Sequence, residues 1–395
     1  MFDESLPLIN STDFGRINSI SLLVGTACNM GCRHCSQRPV RSLGTNYFSI
    51  PSLVYNFLCN FIKFSVSHYK GHGFKNQFIF WGGEPLLYWD SIKETILRFE
   101  KDLQVQSGDG FEFALTTNGT LLTEEMVSFI NEHMIKVGFS YEAPNPSAVR
   151  GSVSESVCNL IRKIDNFTIS ACCGTKYNCD PLLAYLCLSA KFPEAKSFDV
   201  FDRLTFSFLM PSDIYDYDWD LIRSNYKKLR IAAQLGNKFA LDKFYGYFNK
   251  MTAVKVLSQS MPAPLRVLRC AYCDSEITVS LDGKISYCSN GDMFFSTLFD
   301  SWRTYHDRNI AYANKISSPY CAACRHNDFC LKQCSLNIKN DNGMFLNCEK
   351  QLIPLYDIIK SEIFALSRPV TKEEVSWYHL QEKLMDEQVQ SFLSQ

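Results

Sequence analysis

Cys28-Asn29-Met30-Gly31-Cys32-Arg33-His34-Cys35 is a C-x3-C-x2-C triplet, set just after an apolar, β-rich run at residues 19–24 that ends at Gly25. Three thiolates on one tight loop can hold three irons of a cubane cluster and leave the fourth iron open to an exogenous ligand. Zinc is the competing reading, but structural zinc closes a shell of four ligands and no fourth cysteine is nearby. Outward from this loop the chain repeats one pattern. Short apolar runs at 78–81, 111–116, 135–141, 167–171 and 204–209 end at Gly82-Gly83, Asn118-Gly119, Pro144, Gly174 and Pro211. Amphipathic stretches lie between them, at 51–69, 91–103, 123–133 and 154–164. Six strands alternating with helices predict an α/β fold with a parallel sheet, a partial (β/α)6 TIM-like barrel whose chemistry sits at the C-terminal strand ends. Cys28, the stretch 82–85 and Asn118 all fall at such ends.

Composition narrows the class. The chain has 395 residues, with Lys+Arg 40 against Asp+Glu 41, a formal net charge of −1. That balance gives no bulk electrostatic reason to bind nucleic acid or an anionic membrane. No run of 18 apolar residues predicts a membrane span, and the acidic N-terminus is not a signal peptide. The 17 cysteines are too sparse for a disulfide scaffold of this length. The chain therefore reads as cytoplasmic, with reduced thiols that bind metal or do redox chemistry. Cysteine usage also marks a boundary. From about residue 261 helical periodicity weakens, and eight cysteines crowd into the stretch ending at Cys348. The expected organisation is an N-terminal extension (1–16), the barrel (17–260), a metal-organised module (261–350) and a helical tail (351–395) with Pro354 and Pro369 as breaks.

The triplet in its loop resembles the radical SAM enzymes, and the resemblance extends along nearly the whole chain. It implies that Cys28, Cys32 and Cys35 carry a 4Fe–4S cluster whose open iron chelates S-adenosylmethionine. His34 then stands at the family's aromatic position beside the last cysteine. Trp81-Gly82-Gly83-Glu84-Pro85 looks like the motif that holds the methionyl amino group, since two glycines admit close backbone approach and an acid can accept from an ammonium. Thr117-Asn118-Gly119 ends the third strand as in many members. Ser140 and Arg150 stand where relatives have a strand-end Ser and an Arg to the SAM carboxylate. Tyr141-Glu142-Ala143-Pro144 replaces the usual Leu-Asp-Gly-Pro.

The C-terminal spacing is Cys273-x9-Gly283-x4-Cys288, then Cys321-x2-Cys324-x5-Cys330-x3-Cys334 and Cys348. It resembles the SPASM domain, which implies two auxiliary 4Fe–4S clusters. By position one takes Cys270, Cys273, Cys288 and Cys334, and the other Cys321, Cys324, Cys330 and Cys348. Zinc at 321–334 is the competing reading, and the short 270–273 spacing leaves an open site on the first auxiliary cluster conceivable. Six cysteines remain. Cys59, Cys158 and Cys187 are expected as buried small hydrophobes. Cys172, Cys173 and Cys179 lie past a strand end and are also expected to be structural.

The resemblance implies reductive cleavage of S-adenosylmethionine to a 5′-deoxyadenosyl radical, electrons from a donor such as flavodoxin or ferredoxin, and a peptide or protein substrate. About 17 residues precede the first strand, too few for a winged-helix leader-binding domain. Two activities fit: an oxidative maturase crosslinking a ribosomally made precursor peptide, or a sulfatase-maturating enzyme making formylglycine. An iron–sulfur electron carrier is disfavoured because an open iron would serve no purpose there. In sulfatase-maturating relatives an Asp base follows the cysteine equivalent to Cys288. Here Ser289 follows it, a poor base without an activating partner. The expectation is therefore crosslinking, with an aromatic residue as a partner; no general base can be named from the sequence.

Overall fold

The structure, a computed structural model, describes residues 6–10, 14, 15, 17–35, 47–171, 174–200, 216–260, 276–286, 296–305, 307, 308, 311, 324–326 and 353–394. Its strands are β1 (Ser19–Gly25), β2 (Asn76–Gly82), β3 (Phe111–Thr117), β4 (Lys136–Ser140), β5 (Phe167–Ala171), β6 (Phe198–Val200), β7 (Glu276–Ser280), β8 (Lys284–Ser286) and β9 (Ser296–Thr297). Its helices are α1 (Ser52–Tyr69), α2 (Trp89–Leu103), α3 (Glu124–Glu132), α4 (Pro146–Val149), α5 (Glu155–Arg162), α6 (Pro181–Lys191), α7 (Trp219–Gln234), α8 (Lys238–Ser260), α9 (Ile353–Ala365) and α10 (Lys372–Leu393). One sheet runs β6-β5-β4-β3-β2-β1-β7-β8-β9. The first six strands pair in parallel in chain order, as the strand–helix alternation predicts.

Local chemistry explains the element ends. Thr123, Ser154, Asp180 and Asp218 each cap a helix by accepting a backbone N–H through the side chain. Thr371 and Glu374 form a reciprocal capping box at the start of α10. Pro354 does not break the tail. It is the second residue of α9, where a missing N–H is one of the helix's unbonded donors in any case. Pro369 does fall between α9 and α10.

The core lies between the sheet and the helices, and it accounts for much of the phenylalanine content. Phe14 is fully buried edge-on to Phe57, Phe61 and Phe64, with centroids 5.5–5.9 Å apart. Phe78, Phe99 and Phe113 form a second cluster under β2 and β3, and Tyr55 stacks on Phe99 at 4.7 Å. Each such ring contributes about 1.5–3 kcal/mol by leaving water, which fixes the strand ends where the site is built.

Two expectations meet the structure only in part. The expected sixth strand at 204–209 lies outside the described residues, and the described sixth strand is β6, at Phe198–Val200. Of the segment expected to begin near 261, the described strands join the barrel sheet. β7 pairs in parallel with β1, Ser19 opposite Glu276 through Leu23 opposite Ser280, and β8 and β9 add antiparallel strands beyond it. The tail packs on the barrel's outer helices. Arg230 of α7 is fully buried and donates to Glu362 at 2.7 Å and Glu374 at 2.6 Å. At the far end of α10, Phe392 is buried with its ring 6.3 Å from that of Tyr141, the residue after β4. Among the described residues, no helix is long and apolar enough to cross a membrane.

Candidate active site at the strand ends

The loops after β1, β2, β3 and β4 meet. Two glycines make the closest approach possible. A Cβ on Gly82 would lie 2.2 Å from the Gly25 carbonyl oxygen, and one on Gly83 would lie 2.1 Å from that of Ala27. Real Cβ atoms do not come so near to backbone, so any larger residue would push the loops apart. Gly83 N donates to Gly25 O at 3.0 Å and Glu84 N to Ala27 O at 2.8 Å. The Gly-Gly pair thus seats its own loop against the one that carries the cysteines.

Glu84 joins this pair of loops to the third. Its side chain is 1% exposed. Its carboxylate accepts from Thr117 Oγ1 at 2.6 Å, Asn118 N at 2.8 Å and Leu86 N at 3.0 Å. Burial pushes its pKa up, and these donors oppose the rise. Asn118 continues the network. Its Nδ2 donates to Asn29 Oδ1 at 3.0 Å, while its Oδ1 accepts from Thr120 N and Oγ1 at 2.9 and 2.6 Å. Gly119 follows in a left-handed conformation, φ +73°, which lets the chain turn sharply after β3.

The cysteine loop is also held from the opposite side. Arg33 N donates to Val149 O at 2.9 Å and its Nη1 to Ala148 O at 3.2 Å, so α4 offers its terminal carbonyls to a cation. Cys32 is buried, with Sγ 3.9 Å from Arg150 O; Cys28 and Cys35 are partly exposed. Among the described residues no three His, Cys, Asp or Glu side chains are gathered tightly enough to hold one metal ion. A single ion needs its ligands converging on one point. A four-iron cluster takes one thiolate per iron, so its ligands stand farther apart. Three soft thiols, two of them reachable, on one loop at a strand end fit the cluster.

His34, Glu142 and Arg150 come together beside that loop. Arg150 Nη2 is 3.3 Å from His34 Nε2 and 3.5 Å from Glu142 Oε1, and His34 Nε2 is 3.7 Å from the same oxygen. Glu142 is 1% exposed. Burial pushes its carboxyl up to about 6 against the pull of Arg150. Ser140 is partly exposed at the end of β4, and Pro85 is buried in the turn after Glu84. The structure therefore brings the expected site residues of the first half to one end of the sheet. The sequence reading missed Asn29 and Thr117 as braces and Glu142 as a partner of two site residues. The signal for Glu142 was present as the departure at Tyr141-Glu142-Ala143-Pro144.

A domain described as "Radical SAM superfamily" matches residues 22–175, the span that holds all of these contacts. Residues 22–175 therefore carry a radical SAM domain. The chain is 20% identical over 392 residues to the radical SAM cyclopropyl synthase TigE of Paramaledivibacter caminithermalis, a match that spans 93% of this chain and 78% of that protein. It is 26% identical over 158 residues to a cysteine-type anaerobic sulfatase-maturating enzyme of Clostridium perfringens, spanning 39% and 37% of the two. In fold it resembles the solved "Native anSMEcpe with bound AdoMet and Kp18Cys peptide", with a TM-score of 0.57, 18% identity, and 88% and 99% of the two chains covered.

The remaining cysteines divide by burial. Cys59, Cys158 and Cys187 are buried, and burial pushes their thiols up, Cys187 to about 12. Cys179 is raised to about 11 by burial and Asp180, which makes it a poor nucleophile at neutral pH. Cys172 and Cys173 lie outside the described residues. So do Cys270, Cys273, Cys288, Cys321, Cys330, Cys334 and Cys348. Cys324 is described and partly exposed, its Sγ 3.5 Å from the His326 N–H.

Proposed function

We propose that this chain is a SPASM-type peptide maturase that forms a carbon–carbon or thioether crosslink in a ribosomally made precursor peptide. The carrying observation is Ser289, placed directly after Cys288 where sulfatase-maturating relatives have an Asp base. An aldehyde from Cys or Ser requires early deprotonation of the substrate side chain, and a lone serine hydroxyl does not supply it. Radical attack on a neighbouring side chain can lose its proton later. Similarity to a cyclopropyl synthase over 93% of the chain supports the same choice, since a cyclopropyl ring is closed by a carbon–carbon bond.

In this reading Cys28, Cys32 and Cys35 hold the 4Fe–4S cluster, and Gly82, Gly83, Glu84, Pro85, Asn118, Ser140, Arg150 and His34 line the S-adenosylmethionine site. When bound, the two cofactors supply a 5′-deoxyadenosyl radical able to take a hydrogen atom from the peptide. The protein's own work is positioning. Glu84 and Asn118 lock three strand-end loops together, and the partly buried Arg150 provides a fixed cation for a carboxylate. Two auxiliary clusters, on Cys270, Cys273, Cys288 and Cys334 and on Cys321, Cys324, Cys330 and Cys348, would accept the electron that a net oxidation releases. The β7–β8 hairpin fits the first set: its open ends, at Glu276 and Ser286, precede and follow the turn at Gly283, and the sequence carries Cys273 and Cys288 just beyond them. A flavodoxin or ferredoxin would deliver the electron to the first cluster.

Formylglycine formation is the second reading, favoured by the 26% identity to a sulfatase-maturating enzyme. The two are separated by co-expression with a candidate precursor peptide, encoded by any short reading frame found beside the gene, followed by mass spectrometry. Loss of two hydrogens confined to a fragmentation-resistant segment supports crosslinking. An intact peptide with formylglycine in a co-expressed sulfatase overturns it.

A further inference from the structure

Glu142 is buried, yet among the described residues neither of its carboxylate oxygens has a hydrogen bond of normal geometry. Such a group is expensive unless a charge stabilises it. The nearest cation is Arg150 Nη2 at 3.5 Å, and the His34 ring lies 3.7 Å from the same oxygen. The three residues come from separate parts of the chain: His34 from the cysteine loop, Glu142 from the turn after β4, and Arg150 from the residue closing α4. Glu142 itself is rigidly placed. Its neighbour Tyr141 donates its N–H to Ser170 O at 3.2 Å and packs its ring on Phe192 and Phe392. Asn145 N, three residues on, donates to Asn178 Oδ1 at 3.0 Å. A fixed anion therefore sits beneath a guanidinium and an imidazole that both reach the cluster loop.

We infer that Glu142 is a positioning residue: its carboxylate holds the Arg150 guanidinium beside the cysteine loop, so that Arg150 meets the S-adenosylmethionine carboxylate in a preset orientation. The inference rests on the reading of Arg150 as a contact to that carboxylate. Glu142 does not touch the ligand itself; it acts through Arg150, and it also counters the charge that Arg150 brings into a buried setting.

The test measures binding by equilibrium dialysis on the reconstituted, oxidised enzyme, so that turnover plays no part. The probes are S-adenosylmethionine and its decarboxylated analogue. Glu142→Gln should weaken S-adenosylmethionine about tenfold or more, the range seen when the outer partner of a ligand-holding residue is removed. The decarboxylated analogue should bind the variant and the wild type alike. A second variant, Glu142→Asp, keeps the charge and should retain most of the affinity, which guards against a mere folding defect. In an Arg150→Ala background Glu142→Gln should cause no further loss, because the group it acts through is gone. Equal weakening of both probes, or an undiminished loss in the Arg150→Ala background, would overturn the positioning role while leaving the Arg150 reading intact. Normal affinity in Arg150→Ala alone would show that Arg150 does not meet the carboxylate, and would overturn both.

Discussion

Glu84→Gln is the smallest change that probes how the site is assembled. The side chain keeps its size, but one oxygen becomes an amide donor. Oε1 serves Leu86 N and Thr117 Oγ1, while Oε2 serves Asn118 N at 2.8 Å. If the glutamine oxygen takes the first pair, its NH2 faces the Asn118 N–H, and two donors oppose each other in a buried spot. A charge-assisted hydrogen bond is worth about 1.5–3 kcal/mol, and a buried donor left unpaired costs about 1–3 kcal/mol. The neutral amide recovers part of this by escaping the burial that raises the Glu84 pKa. A net loss of about 2 kcal/mol follows, or a fall in melting temperature of roughly 4 °C for a unit of barrel size. Binding should suffer as well, because the bond that breaks joins the β2 loop to the strand end carrying Asn118 and, through Asn118, to Asn29 of the cysteine loop. The dissociation constant for S-adenosylmethionine should rise about tenfold, the equivalent of ~1.4 kcal/mol. Differential scanning calorimetry and equilibrium dialysis on reconstituted enzyme read the two quantities. Unchanged melting together with unchanged affinity would refute the clamp.

Two further outcomes are expected. Reconstituted enzyme should hold about twelve irons as three four-iron clusters, and replacement of Cys28, Cys32 and Cys35 by Ala should remove about four of them and abolish 5′-deoxyadenosine formation; undiminished 5′-deoxyadenosine would refute the assignment. In the tail, burial raises the Glu374 carboxyl, but the Thr371 N–H, Arg230 and Arg368 outweigh it and hold the pKa below the ordinary glutamate value of 4.5. The stabilisation from Glu374 is therefore complete above that value and is lost as pH falls through the lowered one. Limited proteolysis should release α10 at acid pH, with Glu374→Gln releasing it more readily at neutral pH and showing less dependence on acid; identical digestion of both proteins at both pH values would refute the link.

The first five strands were legible because each is an apolar run closed by Gly, Asn or Pro, and the observed ends differ from the expected ones by at most two residues. Strand pairing across the barrel is a different kind of information. That β7 lies against β1 depends on hydrogen bonds between residues far apart in sequence, and the run at 276–280 carries no local mark of its neighbour. Pro354 misled for a related reason: a proline stops a helix from within but suits its first turn, and only the helix start distinguishes the two. At the site, the residue types announced the chemistry and the geometry reassigned some of the work. Glu84 reads as an acceptor for an ammonium, yet the donors the structure gives it are Thr117, Asn118 and Leu86. Glu142 showed only as a mismatch to a motif, because a buried partner two elements away leaves no periodic trace.

The pairing of β1 with β7 has a consequence for how the chain acquires its structure. β1 is an inner strand only when Glu276–Ser280 is present, more than 250 residues after Ser19. Until that segment emerges from the ribosome, one edge of β1 offers unpaired N–H and C=O groups beside the loop that carries Cys28. At about 5–20 residues per second, that interval lasts on the order of 10–50 s. An open apolar edge of this kind recruits other strands, and a pairing of such sequence separation closes slowly. Yield of folded protein should therefore depend on what shields β1 during synthesis, and a chain ending before residue 276 would keep that edge open permanently.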